Sequence, residues 1–216
     1  KTKNQIALID TSPDLRSQLL NNNIKNVDKV FYSHLHADQT HGINDLRVFY
    51  IKKKKTIPIF ADKETQKYLI KSFKYCFINN SKEYPATLAL NDINNNLFIL
   101  DGKKKIRIKP IKVEHGNINS ICYIIDKKIA YISDVSKIKK NDYKYFRNLK
   151  YLVLDCLWQK FHPSHLNLKN SLELINEFKP KKAILTNLHS DLDYNFLKDR
   201  LPKNIIPAYD GLSLDL

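Results

Sequence analysis

Short apolar runs rich in Ile, Val, Leu and Tyr recur along the chain, each bounded by turn residues: QIALI, VDKVFY, TIPIF, NNLFIL, KIRIKPIKV, SICYIID, KIAYIS, YLVLDCL, KKAILT and NIIPAY. They are too short for helices and rich in β-branched and aromatic residues, so they predict strands. Stretches with helical spacing lie between some of them. In PDLRSQLLNN, Ser12 is placed to cap and Pro13 to open the first turn. DKETQKYLIKSF begins at Asp62, and NLKNSLELINEF sets Leu168, Leu172 and Ile175 on one face behind a capping Asn167. From Asn96 to Ser133 strand follows strand through turns, which predicts an antiparallel meander. Elsewhere strand and helix alternate, so the expected class is α/β (α+β), with mixed sheets flanked by helices. NDINNN reads as a polar turn.

The chain has 216 residues and a mass of 25.3 kDa, enough to bury a core without disulfides, and a single domain over 1–216 is expected. Cys76, Cys122 and Cys156 form no close pair and sit among apolar or aromatic neighbours, so buried, reduced thiols are expected. No window approaches the length of a membrane span, and KTKNQIALID has no signal-peptide apolar run. A cytoplasmic protein with no membrane partner follows as the expectation. A strand close behind Lys1 and the absence of Met lead to the further expectation that strands upstream, and methionines, are missing from the sequence.

The net charge of +15 raises the question of nucleic acid, because clustered lysines release counterions from phosphate. The candidate runs, Lys52 to Lys55 and Lys103 to Lys109, read instead as solvated turns in a chain crowded with Lys, Asn and Ile. An anionic substrate fits the charge, and RNA ranks below a small ligand.

The densest chemistry lies in FYSHLHADQTHGINDLR, where His34, His36, Asp38 and His41 crowd the exit from a strand. Strand periodicity sets His34, His36 and Asp38 on one side, and Gly42 lets the chain bend into the next helix. Imidazoles with a carboxylate suit Zn, Mn or Fe. Further donors end other expected strands: His115, Asp134, His189, and the pair His162 and His165. Singly, each has a plain reading as a surface or packing residue, and Asp134 reads equally as the cap of a helix near Val135.

Taken in order, Asp10 in LIDTSPD, then HLHADQTHG, His115, Asp134 and His189 resemble the five motifs of the metallo-β-lactamase superfamily. HADQTHGINDLR, ISDVS, HPSH, TNLHSDLDY and PAYDG are similar to its phosphodiesterase branch, which holds the phosphoribosyl cyclic-phosphate phosphodiesterase and ribonuclease Z. The resemblance implies a four-layer αββα sandwich of two mixed sheets flanked by helices. It also implies two divalent ions, Zn or Mn. His34, His36 and His115 would hold one, Asp134 would bridge, and Asp38 and His189 would hold the second. Gln39 stands where most members carry the His that completes the second site, and His41 is placed to approach that ion or the phosphate. Asp10 resembles a supporting residue that orients the loop. His165 resembles the branch residue that contacts the scissile phosphate, with His162 as its helper or a packing residue.

The expected activity is a metal-dependent phosphodiesterase acting on a small cyclic phosphate or nucleotide, attacked by a metal-bridged hydroxide, with Asp38, His165 and His162 in catalysis. One alternative is a ribonuclease Z-like endonuclease of tRNA 3′ ends. The interval from His115 to Asp134, however, has room for a hairpin turning at Asp126 to Lys128 and not for that enzyme's exosite arm. A binding module with a decayed second site is a further alternative, opposed by the retention of Asp38, Asp134, His165 and His189. Thioester and β-lactam hydrolysis rank lower because of HPSH. A homodimer is compatible with the sequence.

Overall fold

The computed structural model describes residues 1–79, 84–94, 96–101 and 104–215. Asn95, in the expected polar turn, and Lys103, in the second basic run, lie outside the described residues. The chain divides into two compact units, Lys1–Ile106 and Arg107–Leu216. Among the described residues no helix is long and apolar enough to cross a membrane.

In the first unit four strands, β1 (Ala7–Ile9), β2 (Lys29–Phe31), β3 (Ile57–Ala61) and β4 (Leu88–Asp92), pair in that order and all in parallel. Parallel pairing requires crossovers, and α1 (Leu15–Asn21), a short turn α2 (Ala37–Thr40), α3 (Arg47–Lys53) and α4 (Lys63–Phe77) occupy them. Val30, Tyr32, Leu46, Ile59 and Leu69 are buried together in this unit's core. The chain enters β5 (Leu97–Asp101) before the unit ends. Strand β4 is absent from the sequence reading. Its last residues, Asn91 and Asp92, read as turn formers, yet backbone pairing with Phe60 and Ala61 holds them extended. The cap of α4 is Asp62, which accepts from the Thr65 amide at 2.9 Å.

Helix α1 departs from expectation. Ser12 does not cap it: the Ser12 hydroxyl donates to Gln18 Oε1 at 2.9 Å, and the helix starts at Leu15. Ser12 is instead committed to the loop that leaves β1. In that loop Asp10 has φ 62°, Thr11 N donates to the Gln39 carbonyl at 2.7 Å, and Gly42 N donates to the Thr11 carbonyl at 2.9 Å. The buried Thr11 and Tyr32 hydroxyls meet at 2.7 Å. The loops after β1 and β2 are therefore laced together. Gly42 has an ordinary negative φ, so freedom to bend is not what requires glycine. A Cβ at Gly42 would lie 1.9 Å from the Ser12 carbonyl oxygen. Gly42→Ala is accordingly expected to lower stability by about 3 kcal/mol, as overpacking against unyielding backbone does. Urea denaturation monitored by circular dichroism measures the shift.

In the second unit β6 (Lys104–His115), β7 (Ile118–Ile125) and β8 (Ile129–Ile132) form the expected antiparallel meander. Asp126 and Lys127, at φ 52° and 55°, turn β7 into β8. Strands β9 (Tyr151–Asp155), β10 (Lys182–Thr186) and β11 (Ile205–Pro207) continue the sheet in parallel. Helix α5 (Leu168–Phe178) is capped by Asn167, which accepts from the Asn170 amide at 2.9 Å, as expected. A further helix, α6 (Tyr194–Arg200), escaped the sequence reading because it is a two-turn segment with one buried residue, Leu197. Ala130, Leu152, Leu154, Phe178 and Leu185 form the core here. All three cysteines are free and buried as expected. Burial raises their thiol pKa values, to about 11 at Cys76 and about 12 at Cys156, which keeps them protonated.

Candidate metal and phosphate site

Parallel strands deliver their carboxyl ends to one edge, where ligands collect in open α/β sheets. The register Ile132↔Leu154 and Leu185↔Leu154 brings β8, β9 and β10 to that edge together. Three polar residues follow in line: Asp134 past β8, Asp155 at the end of β9, and Asn187 past β10 with φ 64°. No helix begins at Val135, so Asp134 is not a helix cap. It is 2 % exposed and accepts from Asn187 Nδ2 at 3.3 Å.

His115 ends β6, and His165 lies in the loop between β9 and α5. Nitrogen or oxygen atoms of His115, Asp134 and His165 all lie within 4.8 Å of one another. The His115 Nδ1 lies 2.6 Å from the Ser164 carbonyl oxygen. A carbonyl can only accept, so Nδ1 carries the hydrogen and Nε2 becomes the donor nitrogen toward an electrophile. The same logic sets His165, whose Nδ1 lies 2.9 Å from Asp155 Oδ2.

Asp155 was not among the residues singled out in the sequence. Its side chain is fully buried, and besides His165 it accepts from the Val135 amide at 3.1 Å, the Leu166 amide at 3.4 Å and Asn187 Nδ2 at 3.4 Å. Burial pushes its pKa up to about 6, His165 pulls it back, and the charge of Asp134 pushes it up again. Two buried carboxylates that repel each other, with the imidazoles of His115 and His165 facing them, form a donor set whose chemistry suits a divalent cation. The available signal was an Asp closing the apolar run YLVLD, one strand beyond the Asp that follows KIAYIS.

His162 accepts from the Ser164 amide at 3.3 Å, and its ring centroid lies 5.1 Å from that of His165. Burial and then the charge of His165 lower its pKa. His189 is half-exposed. Its ring lies 5.3 Å from Trp158, and its Nδ1 lies 3.2 Å from the Asp191 amide.

The first unit carries its own donor group. His34, 1 % exposed, meets the Ser33 hydroxyl through Nδ1 at 3.0 Å and His36 Nδ1 through Nε2 at 3.0 Å. A tetrahedral zinc with Zn–N bonds near 2.0–2.1 Å sets two ligand nitrogens about 3.3 Å apart, so this pair needs only a small adjustment to grip an ion. Asp10 Oδ1 accepts from the Ser33 amide at 2.7 Å, which orients the loop from beneath. Asp38 is exposed on the α2 turn and accepts from Gln39 Nε2 at 2.7 Å, so the amide of Gln39 steadies the Asp38 carboxylate. His41 turns elsewhere. Its Nε2 lies 2.9 Å from the Tyr68 hydroxyl, and its ring packs edge-on against Phe73, which ties it to α4 rather than to Asp38.

Comparison with known proteins adds the family context. Residues 6–187 match the family model described as the beta-lactamase superfamily domain. The crystal structure of a new diphosphatase from the PhnP family aligns at TM-score 0.89 and 30% identity, over 100% of this chain and 82% of that one. The human tRNase Z short form aligns at TM-score 0.71 and 14% identity, over 98% of this chain and 88% of that one, a likeness of fold alone. A curated relative, the octanoyltransferase of Porphyromonas gingivalis, is 27% identical over 95% of this chain, and the chain spans 41% of its length. The two sheets with their helices match the metallo-β-lactamase fold, and that fold implies binding of divalent metal.

Proposed function

This chain belongs to the beta-lactamase superfamily, and on that premise we propose that it is a metal-dependent phosphodiesterase acting on a small cyclic phosphate or a nucleotide diester. The observation that carries the proposal is the convergence of His115, Asp134 and His165 within 4.8 Å, with His165 backed by the buried Asp155.

In this reading His34, His36 and Asp38 of the first unit, and His115, Asp134 and His189 of the second, are the metal ligands. The donor chemistry fits: imidazoles, with the His115 tautomer set by the Ser164 carbonyl and His34 held against the Ser33 hydroxyl, together with carboxylates, are ligands that divalent Zn or Mn accepts. Two divalent ions, Zn or Mn, would when bound place positive charge on the phosphoryl oxygens and acidify water for attack. Gln39 holds the Asp38 carboxylate, and Asp10 holds the backbone of the His34 loop. His165 carries the proton chemistry. Its Nδ1–H donates to Asp155, so the ring is oriented, and as an imidazolium it is held by the carboxylate. It then stabilises charge on the phosphoryl group or protonates the leaving oxygen. His162 sits beside it as a second imidazole with a depressed pKa, suited to stay neutral.

Two features favour a small diester. The interval between His115 and Asp134 is filled by the turn at Asp126 and Lys127, which leaves no arm there for docking a tRNA. The net charge of +15 suits an anionic substrate.

A substrate panel tests the reading. With added Zn or Mn, turnover of ribose cyclic phosphate or of a nucleotide diester is expected, and a chelator should abolish it. A precursor tRNA and an octanoyl thioester belong in the same panel. Cleavage of the tRNA alone, or turnover of the thioester alone, would overturn the proposal.

A further inference from the structure

The loop between β9 and α5 is closed at its base. Leu157 N donates to the Leu166 carbonyl at 2.9 Å, Leu168 N donates to the Trp158 carbonyl at 2.8 Å, and Trp158 and Asn167 form a single parallel bridge. Seven residues, Gln159 to His165, are looped out above this clasp. Their returning limb is committed inward, for the Ser164 carbonyl accepts from His115 and His165 donates to Asp155. The outgoing limb carries Lys160 and Phe161, both exposed, and Phe161 keeps 77% of its surface in water.

A lone exposed aromatic residue is ordinary on a protein surface. This one is held in a pinned loop, next in sequence to His162, whose ring lies 5.1 Å from His165. Its neighbourhood pairs rings with positive charge. Trp158 has the Lys160 ammonium 5.4 Å from its ring centre and the His189 ring at 5.3 Å, and its indole N–H donates to Asp191 Oδ2 at 2.6 Å. That hydrogen bond fixes the indole, whereas the Phe161 ring has no polar tip to anchor. Aromatic faces beside a cation, next to residues that handle a phosphate, match a ligand that joins a phosphate to a flat ring.

We propose that Phe161, presented by the clasped loop, stacks on the base of a nucleotide and so determines preference for nucleotide diesters over bare sugar phosphates. The inference rests on the phosphodiesterase reading for the reaction, but base recognition is separable from catalysis. Stacking one base on an aromatic side chain changes affinity by about tenfold. Phe161 is a specificity residue; it moves no proton and forms no bond.

Isothermal titration of the metal-loaded protein with AMP and with ribose 5-phosphate separates the two levels. The wild type is expected to bind AMP about tenfold more tightly than ribose 5-phosphate. Phe161→Ala should erase that difference without changing affinity for ribose 5-phosphate, and Phe161→Tyr should retain it. Trp158 is the sole tryptophan, so its fluorescence supplies a second, local readout of the same titrations. Equal affinity for both ligands in the wild type, failure to bind AMP, or an AMP preference that survives Phe161→Ala would each overturn the inference. A wild type that binds AMP through Phe161 yet hydrolyses no diester would leave the inference standing and sink the functional reading.

Discussion

Asp134→Ala is expected to strip bound metal from the second unit and to lower kcat/KM by at least about a hundredfold. Groups that merely support a metal ligand already cost ten- to a hundredfold when removed, and a ligand itself costs more. Asp134 is buried, receives the Asn187 amide, and pushes up the pKa of Asp155 beside it. A carboxylate buried beside a second one, within 4.8 Å of His115 and His165, is placed to ligate a divalent ion. Metal analysis of the purified variant, with circular dichroism as a control for folding, decides the matter. Undiminished metal content would remove Asp134 from the ligand set, and undiminished activity would remove it from the mechanism.

His165→Ala is expected to lower kcat by about a thousandfold, the middle of the range for loss of a general acid or base. Metal stoichiometry should stay at the wild-type value. That second readout matters because His165 also lies within 4.8 Å of His115 and Asp134, a spacing that would suit a metal ligand. A fall in metal content along with activity would reassign His165 from proton transfer to coordination. Asp155→Asn gives the companion measurement. It keeps the size of the side chain but removes the charge that steadies an imidazolium, so a smaller loss confined to kcat marks Asp155 as a positioning residue. An equal loss in kcat and in thermal stability would mark it as structural only.

The strand runs were legible in the chain because apolar, β-branched segments between turn formers have few other uses. The helices at Asp62 and Asn167 were legible because a capping side chain and a helical stripe coincide there. The expected Asn167 cap is made at 2.9 Å, and Asp62 caps the helix that follows it at the same distance. Ser12 shows where that signal fails. Its hydroxyl is as good a cap as any, but the lacing of the β1 loop onto Gln39 and Gly42 fixes the backbone before a helix can start at Pro13. Strand β4 and the short helix α6 were missed because each owes its form to neighbours rather than to its own pattern.

The chemistry divides in the same way. His34, His36, Asp38, His115, Asp134, His165 and His189 could be picked out along the chain, because polar donors at strand ends, in that order, have a family resemblance and a common use. Residue type and order are one-dimensional properties, and they suffice to name a class of reaction. Orientation is not such a property. That His41 leaves the donor group for Tyr68, that Gln39 turns its amide onto Asp38, and that Asp155 stands behind His165 all depend on which groups the folded backbone brings within about 3 Å, the range of a hydrogen bond. Residues far apart in the chain meet there at no cost in sequence signal, so the sequence by itself determined the donors, and only the tertiary structure decided their partners.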